Sequence, residues 1–474
     1  MLHSAYFWDL IVYFSIIFFI SYRASRVTQN SEDFILGGRR LNSWIVALGV
    51  GASDMSGWLL MALPGAIFVN GISYMWMPIG LLIGAYTNWT VVAKRLRVRS
   101  EAANNATTIP AFIENSFHNT KIISVVTSVT ILFFFTIYVS AGFVSGALLF
   151  KTIFNVPYVY SLLITFAIIS VYTFIGGFIA VSWIDFFQGS LMLFALLIVP
   201  TITWYMLTHQ TTLPDVSPHM FQPLHGLGFI GVISLLGWGL GYFGQPHILV
   251  RFMAINNAEK MKHAKRTAMT WMAICLFGAI SCGVVGVYYY GIDGLADPES
   301  VFLSLSKDLF NPIFGGILFA AVLSAVMSTI AAQLLISASA IAEDILGRYV
   351  FKDFSLKKLL WLNRFAVLAI AVFAMFIASS PSNTILILVS YAWAGLGASF
   401  GPLIIMLVFQ RRVSEFGAIM GILVGGITVV AWKHMGGIAP IFDLYEIIPG
   451  FILSWLSILF FSRFNQSSIH HEAR

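Results

Sequence analysis

The stretch GVGASDMSG, residues 49–57, sets a carboxylate and a run of small residues inside an otherwise apolar segment. An ionised Asp54 in mid-helix would cost about 2.5–3.5 kcal/mol in hydrocarbon on insertion scales. The surrounding glycines loosen the helix further. Unwinding near Ala52–Ser56 would free backbone carbonyls, which is tolerable only where they line a cavity or hold an ion. Asp54 also suits the cap of a resuming helix; a glycine-lined packing seam is the plainer alternative. Downstream, FAAVLSAVMSTIAAQ places Ser328 beside Thr329, with the Ala325 carbonyl one turn earlier. Adding the Ala52 and Met55 carbonyls makes a set of five neutral oxygens. Such a set suits a small monovalent cation, since a divalent ion would ask for carboxylates. Hydroxyls bonded back to their own helix are the common alternative.

A second interrupted stretch, GWGLGYFGQPHIL (237–249), offers Trp238 and Tyr242 four residues apart, with Pro246 one further turn on. Two rings beside opened backbone can enclose a small, partly apolar solute. Tyr138, in FFFTIYVSAG, supports this only in company. Other polar residues receive blander readings. Asp185 starts a segment near the inner face and anchors a helix end. Arg39 and Arg40 are topology charges or close an inner gate. Glu343 and Asp344 end their segment as solvated groups.

These residues need elements to hold them. The 474-residue chain is 59% hydrophobic and 10% charged, whereas soluble domains carry about 25% charge. We read about thirteen spans of roughly the 20 residues a bilayer crossing requires, at 6–22, 43–66, 71–93, 122–150, 157–177, 180–206, 227–250, 267–290, 312–341, 361–379, 384–409, 414–432 and 446–462. The first lacks a preceding basic region and is followed by Arg23 and Arg26, so it reads as a retained span. All but Lys151, Lys307 and Lys433 of the 26 Lys and Arg fall in alternate loops. The positive-inside rule then puts the N-terminus outside and the C-terminus in the cytoplasm. The net charge of +6 reflects that topology and anionic lipid, not nucleic acid. Cys275 and Cys282, one heptad apart, read as core residues without a disulfide. No metal spacing, nucleophile elbow or nucleotide loop points to an enzyme.

TTIPAFIENSF (cap Thr108) and ADPESVFLSLSKDLF (cap Asp297) predict two short amphipathic helices at opposite membrane faces. The interrupted stretches head two sets of five spans, 43–206 and 227–409, with 6–22 peripheral and 414–462 holding two final helices. Five is odd, so the second set runs inverted. Breaks at matching positions of an inverted repeat mark a transporter's binding site. The fold class predicted is therefore an all-α membrane bundle.

The chain resembles the proline-transporting branch of the sodium:solute symporter family, whose members share a LeuT-type fold. DFILGGRRL, GASDMSGWLLMALPGA, RLRVRSE, GWGLGYFGQPHIL, AAVMST, SYAWAGLGASFGP and LYEIIPGFI carry the likeness from the second span to the last. The resemblance implies a Na⁺ site at Ala52, Met55, Ala325, Ser328 and Thr329, with Asp54 important for Na⁺ coupling. It implies L-proline binding around Ser56, Gly57, Tyr138, Trp238, Tyr242 and Pro246, and coupling or inner gating by Arg39 and Asp185. The expected activity is import of L-proline with Na⁺ across the bacterial plasma membrane, with no obligate protein partner. A symporter of another small zwitterion or carboxylate, or a solute sensor that does not transport, is the alternative. The short tail and trimmed loop before Asp297 depart from the family pattern at surfaces.

Overall fold

The computed structural model describes residues 2–26, 36–117, 121–175, 177–209, 216–351, 354–380 and 384–464. In chain order the helices are α1 (Leu2–Ser25), α2 (Ser43–Asp54), α3 (Leu63–Asn70), α4 (Trp76–Asn88), α5 (Lys94–Ala102), α6 (Ile109–Asn115), α7 (Lys121–Phe154), α8 (Tyr158–Ile175) and α9 (Phe178–Thr208). Then follow α10 (Phe229–Gly237), α11 (Pro246–Ala254), α12 (Met261–Tyr290), α13 (Val301–Leu309), α14 (Pro312–Ser339), α15 (Leu356–Ala378), α16 (Ile385–Val408), α17 (Glu415–Met435) and α18 (Ile447–Phe464). Among the described residues no strand is longer than the single bridge between Leu41 and Ile255. Helices satisfy their own backbone polar groups, which hydrocarbon demands.

Nine helical stretches among the described residues are long and apolar enough to cross a membrane. Residues 158–171, 229–244 and 447–463 form shorter apolar helices. The tail beyond residue 464, expected to be cytoplasmic, lies outside the described residues.

Both expected interruptions exist, but they differ in kind. After α2 only Met55 leaves the helical path (φ −82°, ψ 16°), and a π-turn over Trp58–Ala62 leads into α3. The break is thus narrower than the unwinding expected over Ala52–Ser56, because the π-turn absorbs the irregularity. Between α10 and α11 the chain tightens to a 3₁₀-helix over Trp238–Gly244, then extends at Gln245. That break is wide.

Glycine seams hold the second break in place. A Cβ on Gly84 of α4 would run into the Gly239 carbonyl, and one on Gly239 would meet the Gly80 carbonyl. Here backbone lies on backbone, and no side chain can yield. Gly84→Ala is therefore expected to lower the amount of folded protein in membranes several-fold, since overpacking against peptide groups has no cheap relief. Quantitative immunoblotting of membranes checks this; an unchanged amount would refute the seam.

The two short helices form with the predicted caps: Thr108 accepts from the Ala111 amide (3.1 Å) and Asp297 from that of Glu299 (3.1 Å). The first is covered by protein on all sides, however. Ile109–Glu114 of α6 are all buried, because the helix packs on α7 and on the π-helical continuation of α14, Ala340–Val350. Near α13, Glu299 accepts from the first amides of α16, Ile385 (3.1 Å) and Leu386 (3.2 Å). Burial pushes its carboxyl up to about 7, while those two donors pull the other way. Cys275 and Cys282 are buried free thiols.

Candidate functional site

Asp54 does not cap the helix after the break. The hydroxyl of Ser56 takes that place, accepting from the Trp58 amide (3.1 Å). Asp54 instead accepts from the Tyr242 hydroxyl (2.6 Å), so the two interrupted segments are joined by one buried hydrogen bond. Beside it, Ser328 of α14 donates to the Ala52 carbonyl (2.7 Å), with the Ala325 carbonyl 3.2 Å away. Thr329 reaches the same Ala52 oxygen at 3.4 Å. Met55's carbonyl faces the Leu59 amide at 3.3 Å. Ala52, Ala325, Ser328 and Thr329 thus converge, at the point where α14 crosses the end of α2.

A small cavity adjoins this cluster, lined by Asp54, Met55, Trp58, Leu81, Tyr138, Trp238, Tyr242, Val389 and Trp393. It leaves about 10 Å³ for the centre of a water-sized sphere, room for roughly one water. Trp238 is held between Trp58 (ring centroids 6.2 Å) and Tyr445 (5.3 Å, stacked). Tyr242 meets Trp393 edge to face at 5.1 Å. The Trp58 indole N–H is buried without a hydrogen-bond partner. It is a donor directed at nothing in the protein.

Three of the six residues expected to hold the solute, Tyr138, Trp238 and Tyr242, line this cavity. Ser56 serves as the cap, and a Cβ on Gly57 would point at Ser145 and Val326. Pro246 starts α11 and lines a separate pocket with Thr108, Pro110, Val250 and Leu335. The 3₁₀ winding and the extended Gln245 carry it away from the rings.

Sequence reasoning passed over several neighbours. Trp393 donates its Nε1–H to the Trp238 carbonyl (2.8 Å), and Gln245 Nε2 donates to the Trp393 carbonyl (3.1 Å). Asn88 Nδ2 donates to the Tyr242 carbonyl (2.9 Å). The bonds to the Trp238 and Tyr242 carbonyls satisfy backbone within the 3₁₀ stretch. Trp393 lay in a motif already noted, SYAWAGLGASFGP, as one ring among many. Asn88, a lone amide in an apolar segment, was the available signal.

At the end of the bundle that carries Arg39, the readings change. Arg39 is no exposed topology charge; it is 8% exposed. Its guanidinium donates to Asn105 Oδ1, Ser100 Oγ and the carbonyls of Ala106 and Met253 at 2.7–3.1 Å. Leu41 pairs with the same strand-like turn after α11, through Ala254 and Asn256. Asp185 does not anchor a helix end: it is fully buried two turns into α9 and ion-paired with Arg251 of α11. Arg251 had been counted only as a loop charge. Asp344 is buried rather than solvated and accepts from Thr108 (2.9 Å); Glu343 is half-buried and accepts from Asn363 (3.3 Å). The packing of α6 and α15 against the end of α14 removes both from water.

Comparison with known proteins places this geometry in context. The Na⁺-coupled sialic acid symporter in a substrate-bound outward-open state superposes with a TM-score of 0.81 at 15% identity, covering 98% of this chain and 99% of that one. A nucleobase-cation-symport-1 family transporter in a closed conformation gives 0.56 at 12% identity, over 92% and 96%. At such identities they show a shared fold. In sequence, the chain is 46% identical to the sodium/proline symporter of Salmonella typhimurium over 94% of this chain and 90% of that protein. It is also 46% identical to the high-affinity proline transporter PutP of Bacillus subtilis, over 94% and 96%. The family model for the sodium:solute symporter family matches residues 34–425. The chain belongs to the sodium:solute symporter family.

Proposed function

We infer that this protein is a secondary transporter, not an enzyme, which imports L-proline with Na⁺ across a bacterial plasma membrane. The observation that carries the reading is the adjacency of two chemistries at one break. The Ala52 carbonyl meets the Ser328 and Thr329 hydroxyls, and three residues on, Met55 lines the aromatic cavity. Na⁺ would be held by Ala52, Met55, Ala325, Ser328 and Thr329, all neutral oxygens. Asp54 lies within the same turn and supplies the negative charge that favours a cation there. Proline would lie among Tyr138, Trp238 and Tyr242, with Ser56 and Gly57 shaping the break beside it and Pro246 on the way to the cytoplasm. The Trp58 indole N–H is a fitting donor for the solute carboxylate.

Coupling follows from shared backbone. An ion that orders the Ala52–Met55 turn improves the cavity wall, and by linkage proline tightens Na⁺ by the same factor. One charge moving down 100 mV supplies about 2.3 kcal/mol. Because the cavity holds about one water, solute entry requires Trp58 and Trp238 to separate. Inner closure is assigned to Arg39 and to the Asp185–Arg251 pair, which tie α9, α11 and the residues before α2 together. The reading takes about thirteen spans, N-terminus outside and C-terminus inside, with 43–206 and 227–409 as inverted repeats, 6–22 peripheral and 414–462 as added helices. The matching positions of the two breaks support it.

The deciding experiment is proline uptake into proteoliposomes with and without an imposed Na⁺ gradient; gradient-independent uptake would overturn the reading. Competition by other zwitterions and carboxylates tests the choice of solute. Trp238→Ala is expected to raise the proline concentration for half-maximal uptake about ten-fold, by removing the ring held between Trp58 and Tyr445. An unchanged proline half-saturation would exclude the cavity as the solute site.

A further inference from the structure

Helix α1 stands outside the repeats, yet Tyr13 carries a polar group from it into their interior. Tyr13 is 3% exposed, and its hydroxyl sits where three helices meet. It accepts from Gln188 Nε2 of α9 (2.7 Å) and lies 3.0 Å from Ser324 Oγ of α14. It donates toward the Met327 sulfur at 3.9 Å. Gln188 and Ser324 are both fully buried. Gln188 Oε1 has no partner, so the Tyr13 oxygen is what holds this amide. One face of α1 is exposed at Phe7, Trp8, Val12 and Phe19, while Tyr6, Leu10 and Ile17 are buried on the face that carries Tyr13.

Both partners lead to the oxygen cluster. Ser324 is one helical turn before Ser328 on the same helix, and Met327 directly precedes it. On the other side, Gln188 is followed by Gly189, where a Cβ would stand 3.4 Å from that of Ala52. The Gly189 carbonyl is fixed by the Trp271 indole (3.0 Å). The Ser328 hydroxyl and the Ala52 carbonyl, 2.7 Å apart, are thus each one step from a group that Tyr13 grips. The one Tyr13 hydroxyl thus contacts both α9 and α14 beside the end of α2.

We propose that Tyr13 is a positioning residue for the cation site, through which the peripheral helix α1 sets Na⁺ affinity. This rests on the cation reading of Ser328 and Thr329 given above. A site of five oxygens is sensitive to small displacements, and a hydroxyl that orders two of its supporting helices acts on affinity without touching the ion.

The test uses the full chain purified in detergent, with thermal unfolding followed across a Na⁺ titration and no proline present. A ligand that binds only the folded state raises the unfolding temperature with concentration, so the titration reports Na⁺ binding apart from transport. Tyr13→Phe keeps the ring and removes only the oxygen. It is expected to move the half-effective Na⁺ concentration upward about 3- to 10-fold, in line with the loss of a buried hydrogen bond. Ser324→Ala is expected to shift it similarly, and the double variant no further than the larger single one, because both act through one contact. Phe19→Ala, on the lipid face, leaves it unchanged. In proteoliposomes the Na⁺ needed for half-maximal proline uptake rises by the same factor in Tyr13→Phe, while proline half-saturation at saturating Na⁺ stays within about two-fold. Should Tyr13→Phe yield little folded protein, Gln188→Met approaches the same contact from the other side, with the same shift expected.

A Tyr13→Phe titration that superposes on the parent's, or a parent that Na⁺ does not stabilise, overturns the proposal. A parent that Na⁺ stabilises but that accumulates no proline overturns the symport reading and leaves the Tyr13 result to be judged on the unfolding data.

Discussion

Ser328→Ala is expected to raise the Na⁺ concentration that half-saturates proline uptake roughly 10- to 100-fold, the weight of one contact to a charged group. The maximal rate at saturating Na⁺ should fall much less. Ser328 donates to the Ala52 carbonyl at 2.7 Å and stands 3.2 Å from that of Ala325, so its oxygen is central to the cluster. Thr329, at 3.4 Å from Ala52, is placed at the edge, and Thr329→Ala is expected to give a smaller shift of the same sign. Thr329→Ser keeps the oxygen and should resemble the parent. The measurement is initial proline uptake against Na⁺ at fixed membrane potential. If Na⁺ activation were unaltered in both alanine variants, the cation would have to bind elsewhere.

The largest stability effect is expected at Arg251. Its guanidinium and the Asp185 carboxylate are 1% and 0% exposed, and Ser182 lies within 3.5 Å of the second guanidinium nitrogen. The Phe178 ring lies 5.6 Å from the guanidinium carbon, and a Cβ on Gly49 would come within 2.7 Å of Arg251 Nη1. Arg251→Gln leaves a carboxylate in a cage with no countercharge. Breaking such a pair from one side costs about 3–5 kcal/mol. Removing the second charge as well, in Arg251→Gln with Asp185→Asn, should restore most of the loss, because the penalty lies in the orphaned charge and not in the missing attraction. Thermal unfolding in detergent reads both steps. A double variant no more stable than the single one would mean that Arg251 acts through packing alone.

What could be read in advance follows the range of the interactions. Ser328 and Thr329 are neighbours on one helix, and the glycines around Asp54 and Tyr242 are local signals, so both breaks and the oxygen-rich cluster were visible from spacing. The role of Asp54 was not. Local rules made it a cap, but Ser56 lies closer to the free amides and Tyr242 offers a donor 188 residues away. Arg251 looked like one more basic residue beyond a span, since its partner on α9 becomes a neighbour only when α11 folds back. Asp344 and α6 failed for the same reason: an amphipathic pattern shows that a face will be covered, but not whether by lipid or by protein. Pro246, one α-helical turn beyond Tyr242 by count, follows a 3₁₀ stretch instead and so lines a pocket separate from the rings.

The contact of Gly80 and Gly84 with Gly239 has a mechanical corollary. Peptide planes that touch have nothing to roll over, so α4 and the 238–244 stretch turn as one plate. Slippage belongs to surfaces with soft padding between the backbones, and the hydroxyls of Ser328 and Thr329 above Ala52 are such a surface. On the cation reading proposed above, the joint that yields is also the one that would hold the ion.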